Sequence, residues 1–170
     1  MTADISFFTI QPFSPDRDIS RILSLRTAVE VVHSALIRAD SLRIYNALTT
    51  SEGVDAWFTS GAKVNPYPGG QIRFRWENWG PDNLTAEDGG LVLEAVPAQR
   101  FVFQWHPDSP EYVTTVEINF RSSENGTIVS LREYGFADTP CGRTAMLNCA
   151  TGWGEALTLL KFYIEHGIRV

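Results

Sequence analysis

Cysteine, lysine and histidine are scarce in this chain, and no long apolar run appears in it. Two cysteines in 170 residues cannot build a disulfide framework. Cys141 and Cys149 are eight positions apart, and on one helix a rise of about 1.5 Å per residue separates them by roughly 12 Å, beyond disulfide reach. There is no Cys-x-x-Cys, and His33, His106 and His166 are distant in sequence, so neither a metal nor a cofactor is expected. Lys63 and Lys161 are the only lysines. With twelve scattered arginines they make 14 basic residues against 20 acidic ones, a net charge of −6. Without a basic stripe to displace counterions from phosphates, nucleic acid is excluded as a partner, and so is a polybasic membrane anchor. No apolar stretch reaches about 18 residues, which argues against membrane insertion. Met1 to Asp4 carries an acid where a secretory signal carries Lys or Arg, so a cytoplasmic location is expected, and the triplets Asn83–Thr85 and Asn125–Thr127 are read as turn chemistry rather than glycosylation sites.

What is abundant is apolar and aromatic: 44% hydrophobic residues and 12% Phe, Trp and Tyr. A chain of this length buries roughly 70% of its unfolded surface and so has a core of its own, with room for a cavity. Residues 1–27 are read as an N-terminal extension. There Ser14-Pro15 opens a short helix carrying Ile19, Ile22 and Leu23, preceded by a cluster of Phe7, Phe8 and Phe13. Residues 28–170 are read as a single domain, since no repeat or low-complexity linker divides them.

Val29 to Ile37 is too short and too β-branched for a helix and predicts a strand. Asp40 or Ser41 then caps a helix carrying Leu42, Tyr45 and Leu48, and Ser51-Glu52 opens a second turn carrying Val54, Trp57 and Phe58. After Pro68-Gly69-Gly70 the period becomes two. Ile72, Phe74 and Trp76 alternate with polar residues, Leu91 and Leu93 alternate with Val92 and Glu94, and Phe101, Phe103 and Trp105 follow. Glu77 to Asp88 is read as a long connection in which Trp79 has no strand partner. Thr114, Val116, Ile118 and Phe120 form the next strand, and Asn125-Gly126 turns it into Ile128 to Glu133, the strongest short hairpin signal in the chain. From Arg143 to Ile164 the spacing switches to three and four, through Met146, Cys149, Trp153, Leu157, Leu160 and Ile164, with Gly167 beyond the end. The fold class is therefore α+β: six or seven antiparallel strands curved around one long C-terminal helix, with two short helices after the first strand.

The segments NALTTSEGVDAWF (46–58), YPGGQIRFRW (67–76), GGLVLEAVPAQRFVFQW (89–105), GTIVSLREYGF (126–136) and GWGEALTLLKFYIE (152–165), in that order, resemble the START-like helix-grip superfamily, and within it the branch related to activators of the heat-shock chaperone ATPase. The resemblance implies a sheet gripping the last helix around a hydrophobic cavity. Members hold lipids, hormones or polyketide-like molecules, and some are cyclases or hydratases. No universal catalytic motif comes with it.

Three functions follow as expectations. The first is binding of a small hydrophobic molecule by Trp57, Phe74, Trp76, Phe103, Trp105, Thr114, Val116, Met146, Cys149 and Trp153, the rings serving equally as core. The entrance is expected where Met146 and Cys149 approach residues 57–61 and 76–90. The second is a chaperone or homodimer contact through an exposed patch of Trp79 and the N-terminal Phe cluster. The third is an enzyme using Glu133, which shares the parity of Val129 and Leu131 and, turned inward, has a raised pKa suited to acid or base work. Thr114 either orients a ligand or bonds to a neighbour, and His33 and His106 read as structural. Ser60-Gly61-Ala62-Lys63 matches a Ser-x-x-Lys pattern by chance, being a loop rather than a helix start. Nucleotide and hydrolase signatures such as GxSxG, HExxH or a phosphate-binding Gly loop are missing from the sequence.

Overall fold

A computed structural model describes residues 29–81, 83–107 and 112–169. The helix expected within residues 1–27 lies outside them. The elements run β1 (Val31–Ile37), α1 (Ser41–Thr49), α2 (Ser51–Asp55), β2 (Lys63–Val64), β3 (Gln71–Trp79), β4 (Leu84–Val96), β5 (Arg100–Trp105), β6 (Thr114–Ser123), β7 (Gly126–Tyr134) and α3 (Pro140–His166). The strands make one antiparallel sheet in the order β1-β7-β6-β5-β4-β3-β2. Consecutive strands β1 and β2 thus occupy opposite edges, and α1 and α2 carry the chain from one edge to the other.

Local chemistry sets these boundaries. The Asp40 carboxylate accepts from the Arg43 N–H at 2.9 Å and caps α1, and the Thr50 hydroxyl accepts from the Gly53 N–H at 3.0 Å and caps α2. Thr139 caps α3 with Pro140 in the first turn, and Gly167, at φ 70°, ends it in the left-handed region. Gly126, at φ 128°, makes the turn between β6 and β7. Of the apolar residues assigned to α1, Leu42 is 51% exposed, and Ile44 and Tyr45 face the core.

Two features of the sheet differ from the sequence reading. The span 77–88 is not a loop: β3 and β4 continue into a twisted ribbon in which Trp79 pairs with Leu84. Asn78, Gly80 and Asn83 adopt φ of 53°, 65° and 51°, which builds a bulge and a tight turn without a marked hydrophobic alternation to announce them. In β4 the buried phase belongs to Val92, while Leu91 and Leu93 are 44% and 45% exposed. The register explains this. Phe74 faces inward and pairs with Asp88, so even-numbered β4 residues point in until the shift between Val92 and Glu94, after which Ala95 pairs with inward Phe101. The two-residue β2 carries too short a pattern to be read from sequence.

Rows across the concave face are continuous. Phe101 pairs with Ile118 and Ile118 with Leu131, while Phe103 pairs with Val116 and Val116 with Glu133. Against this face lies α3, which buries Ala145, Trp153, Ala156, Leu157, Leu160 and Ile164 and runs closest to β1. That approach is tight at Gly154: a Cβ there would sit 3.3 Å from the His33 ring, which would have to give way slightly. The His33 imidazole, at Nε2, meets the Ala150 carbonyl at 2.7 Å and ties β1 to the helix.

Candidate functional site

Between sheet and helix the space is unequally filled. At the narrow centre, Trp57, Phe74, Phe101, Phe103 and Ile118 enclose only about 20 Å³. Trp57 is 2% exposed, donates from Nε1 to the Ala47 carbonyl at 3.0 Å, and stacks on Phe58 at 5.1 Å. It therefore fixes Phe58 rather than lining free space. Phe74, Phe103 and Val116 are likewise buried in packed core. The interior is solid there, so the cavity expected between sheet and helix does not extend to these residues.

Space opens at the wide end. A cleft of about 300 Å³ is walled on the sheet side by Trp76, Trp79, Leu84, Trp105 and Pro107, and on the helix side by Asn148, Cys149, Gly152, Trp153, Glu155 and Leu159, with Phe58 between. Leu84, Asn148 and Gly152 are exposed and mark its mouth. The rings form a near circuit: Phe58–Trp76 at 5.4 Å, Trp76–Trp105 at 6.1 Å, Trp105–Trp153 at 5.5 Å and Trp153–Phe58 at 6.4 Å. Trp79 and Phe58 form a T-shaped pair at 6.3 Å. Such rings keep one another rigid at little entropic cost.

Of the ten residues expected to bind, four line this cleft: Trp76, Trp105, Cys149 and Trp153. Trp57, Phe74, Phe103, Thr114, Val116 and Met146 do not. Met146 is only partly buried and packs at the core edge, because the cleft begins farther along the helix, at Asn148. Phe58, Trp79, Leu84, Pro107, Asn148, Gly152, Glu155 and Leu159 complete the lining. On α3 the signal for it is the spacing 148, 152, 155, 159, a second stripe one position away from the buried one.

Behind Cys149 and Trp153 lies a buried polar cluster. Glu133 is 0% exposed, in the inward row between Val31 and Val116. Its Oε1 accepts from the Thr114 hydroxyl at 2.6 Å, and its Oε2 accepts from Trp153 Nε1 at 2.6 Å. Burial raises its pKa against the opposing effect of the donors from Thr114, Trp153 and Cys149. Thr114 thus serves the carboxyl. Burial and the nearby Glu133 carboxyl push the Cys149 thiol far above its ordinary value, which makes it a poor nucleophile. Burial also raises Asp88, whose carboxylate accepts from the Gly89 and His106 backbone N–H groups at 2.6 and 3.1 Å. The His106 Nδ1 lies 2.7 Å from the Gly89 carbonyl and 3.2 Å from Asp88. This arrangement anchors β5 to β4. Among the described residues no group of three metal-ligating side chains converges, and no helix is long and apolar enough to cross a membrane.

Comparison with known proteins agrees with this architecture. A family model described as activator of Hsp90 ATPase homolog 1-like protein matches residues 38–165, which include the entire cleft. The solution structure of the Aha1 dimer from Colwellia psychrerythraea is 26% identical, with a TM-score of 0.69 over 82% of this chain and 98% of that one. An AHSA1-like protein from Aeromonas hydrophila shares 17% identity with a TM-score of 0.67 over 82% and 94% of the two chains. CalU16 from Micromonospora echinospora shares 17% with a TM-score of 0.63 over 84% and 83%. At that identity both likenesses concern the fold alone. No curated protein matches. The seven-stranded curved sheet gripping a long C-terminal helix, together with the match over 38–165, shows that the chain belongs to the activator of Hsp90 ATPase homolog 1-like family, of the START-type helix-grip fold.

Proposed function

We propose that this protein, through a domain of residues 28–170, binds a small, mostly apolar molecule in the cleft between β3–β5 and the middle of α3. The observation that carries the reading is the cleft itself: about 300 Å³ of space with four indoles and one phenyl ring in its walls. Its volume lies at the lower end of the range for small-molecule sites, and an apolar wall with few polar groups is their usual chemistry. A folded chain that leaves several large rings around unfilled space forgoes contacts that a ligand restores.

Catalysis by Glu133 is less well supported. Both of its oxygens are engaged, and Cys149 and Trp153 stand between it and the cleft. Those contacts suit a group that fixes the cleft floor. A chaperone or homodimer contact through Trp79 and the N-terminal Phe cluster draws less support as well, because the Trp79 ring packs against Phe58 in the cleft wall and the Phe cluster lies outside the described residues.

A thermal-shift panel of fatty acids, flavonoids and polyketides tests the proposal. A true ligand at 100 times its Kd stabilises the native state by about 2.7 kcal/mol, a rise of a few degrees in Tm at this chain length. No shift with any apolar compound small enough for the cleft overturns it.

A further inference from the structure

The charge and the ring content of the cleft define its occupant further. Among the described residues Glu155 is the one charged residue in the lining, and no Lys, Arg or His contributes to it. Its carboxylate forms no hydrogen bond or ion pair with any described residue. It stands on α3 one turn beyond Gly152, at the rim. Past Trp79 the cleft leads into a second groove of about 350 Å³ that shares Trp79, Glu155 and Leu159 and adds Glu77, Asn78 and Ser60. Glu77 is held by Arg75 at 3.0 Å, which leaves Glu155 as the unpaired charge among the described residues between the two spaces.

The ring walls add to this. The face of an indole carries negative quadrupolar charge, and tryptophan is the best of the side chains at attracting a cation to within about 6 Å of its centroid. Four of the chain's five tryptophans line the cleft: Trp76, Trp79, Trp105 and Trp153. A neutral ligand gains burial and ring contacts there but no charge interaction. An anion meets Glu155 and a chain of net charge −6. An alkylammonium gains burial of its carbon substituents, the ring faces, and the carboxylate at the rim together.

We infer that the cleft selects organic cations: molecules with an apolar or aromatic body bearing one alkylated ammonium group, the body held among Phe58, Trp105 and Trp153 and the charge set between Trp79 and Glu155. This rests on the cleft being the ligand site proposed above, and the test separates the two.

The full chain is titrated with phenylpropyltrimethylammonium, with its neutral isostere in which a quaternary carbon replaces the nitrogen, and with the carboxylate of equal length, following tryptophan fluorescence. At 50 mM salt the ammonium is expected to bind at least tenfold more tightly than the isostere, and the carboxylate more weakly than both. Glu155→Gln lowers the ammonium's advantage about threefold without changing the isostere's affinity. Raising salt to 0.5 M erodes the same portion, since an exposed pair is screened and ring contacts are not. Glu155 is exposed and supports no other group, so the variant folds. Equal binding of ammonium and isostere overturns cation selection and leaves the apolar cleft standing. A Glu155→Gln variant that keeps the whole advantage overturns the assignment of the charge to Glu155. If none of the three binds, and the neutral probe N-phenyl-1-naphthylamine does not bind either, both readings fail.

Discussion

Gly152 offers the sharpest separation of stability from binding. It lies within α3 and lines the cleft, and a Cβ built on it meets nothing within 4 Å. Gly154, two residues on, would place its Cβ 3.3 Å from the His33 ring. Glycine inside a helix costs about 1 kcal/mol relative to alanine through backbone entropy. Gly152→Ala recovers that in full, which for a chain of this size raises Tm by about 2–4 °C. Gly154→Ala has the same propensity gain but must displace the His33 ring, so its Tm change is smaller or negative. Gly152→Leu keeps much of the helix gain and sends its side chain into a cleft of about 300 Å³, which excludes a ligand of one or two rings. Differential scanning fluorimetry gives the Tm values, and titration with N-phenyl-1-naphthylamine gives the affinity. The expected pattern for Gly152→Leu is a Tm at or above wild type with probe affinity reduced tenfold or more. Unchanged probe affinity in a folded Gly152→Leu protein refutes the location of the site, and a Gly152→Ala protein less stable than wild type refutes the open space around that residue.

The buried cluster makes two further predictions. Glu133 has a pKa raised from 4.5 by burial, so the folded state binds its proton more tightly than the unfolded chain does. That contribution to stability is present in full below pH 4.5 and is lost as pH rises through the folded value, at up to about 1.4 kcal/mol per pH unit. In Glu133→Gln the amide donates to the Thr114 hydroxyl and its oxygen accepts from Trp153, so the stability of the variant relative to wild type is expected to rise between pH 4.5 and 8 in denaturant titrations. A constant difference across that range would remove Glu133 as the source. Second, Cys141 is exposed and Cys149 is half-buried with its thiol held protonated, so a chromogenic disulfide reagent at pH 8 is expected to modify one thiol rapidly and the other only on unfolding. Two fast thiols, or a Cys141→Ser protein that still reacts rapidly, would contradict the burial assigned to Cys149.

Much of the scaffold was legible from the order of residues. Period two in Phe101–Trp105 and Thr114–Phe120, Asn125-Gly126 between runs, and a stripe from Met146 to Ile164 with Gly167 past its end each encode a local geometry that tertiary contacts only had to accept. Glu133 was legible too, because a strand allows only two faces and Val129 and Leu131 fix which one is inward. The ribbon of β3 and β4 was not, since positive φ at Asn78 and Asn83 is a backbone choice that residue patterns mark weakly. Nor was the inward phase of Val92, which depends on the bulge after it and on pairing with β3.

The sequence by itself determined most of the elements, the amphipathic faces of the long ones and the wealth of inward aromatic rings, because strand and helix periods are properties of a single segment. Only the tertiary structure decided which rings touch protein and which touch empty space. Trp57 and Trp153 carry the same side chain and are almost equally buried at 2% and 7%. One is sealed over α1, and the other forms the wall of a cleft. That difference arises from how far α3 stands off a curved sheet at its wide end, where Asn148, Gly152 and Glu155 face outward-opening space. No one-dimensional pattern records that distance.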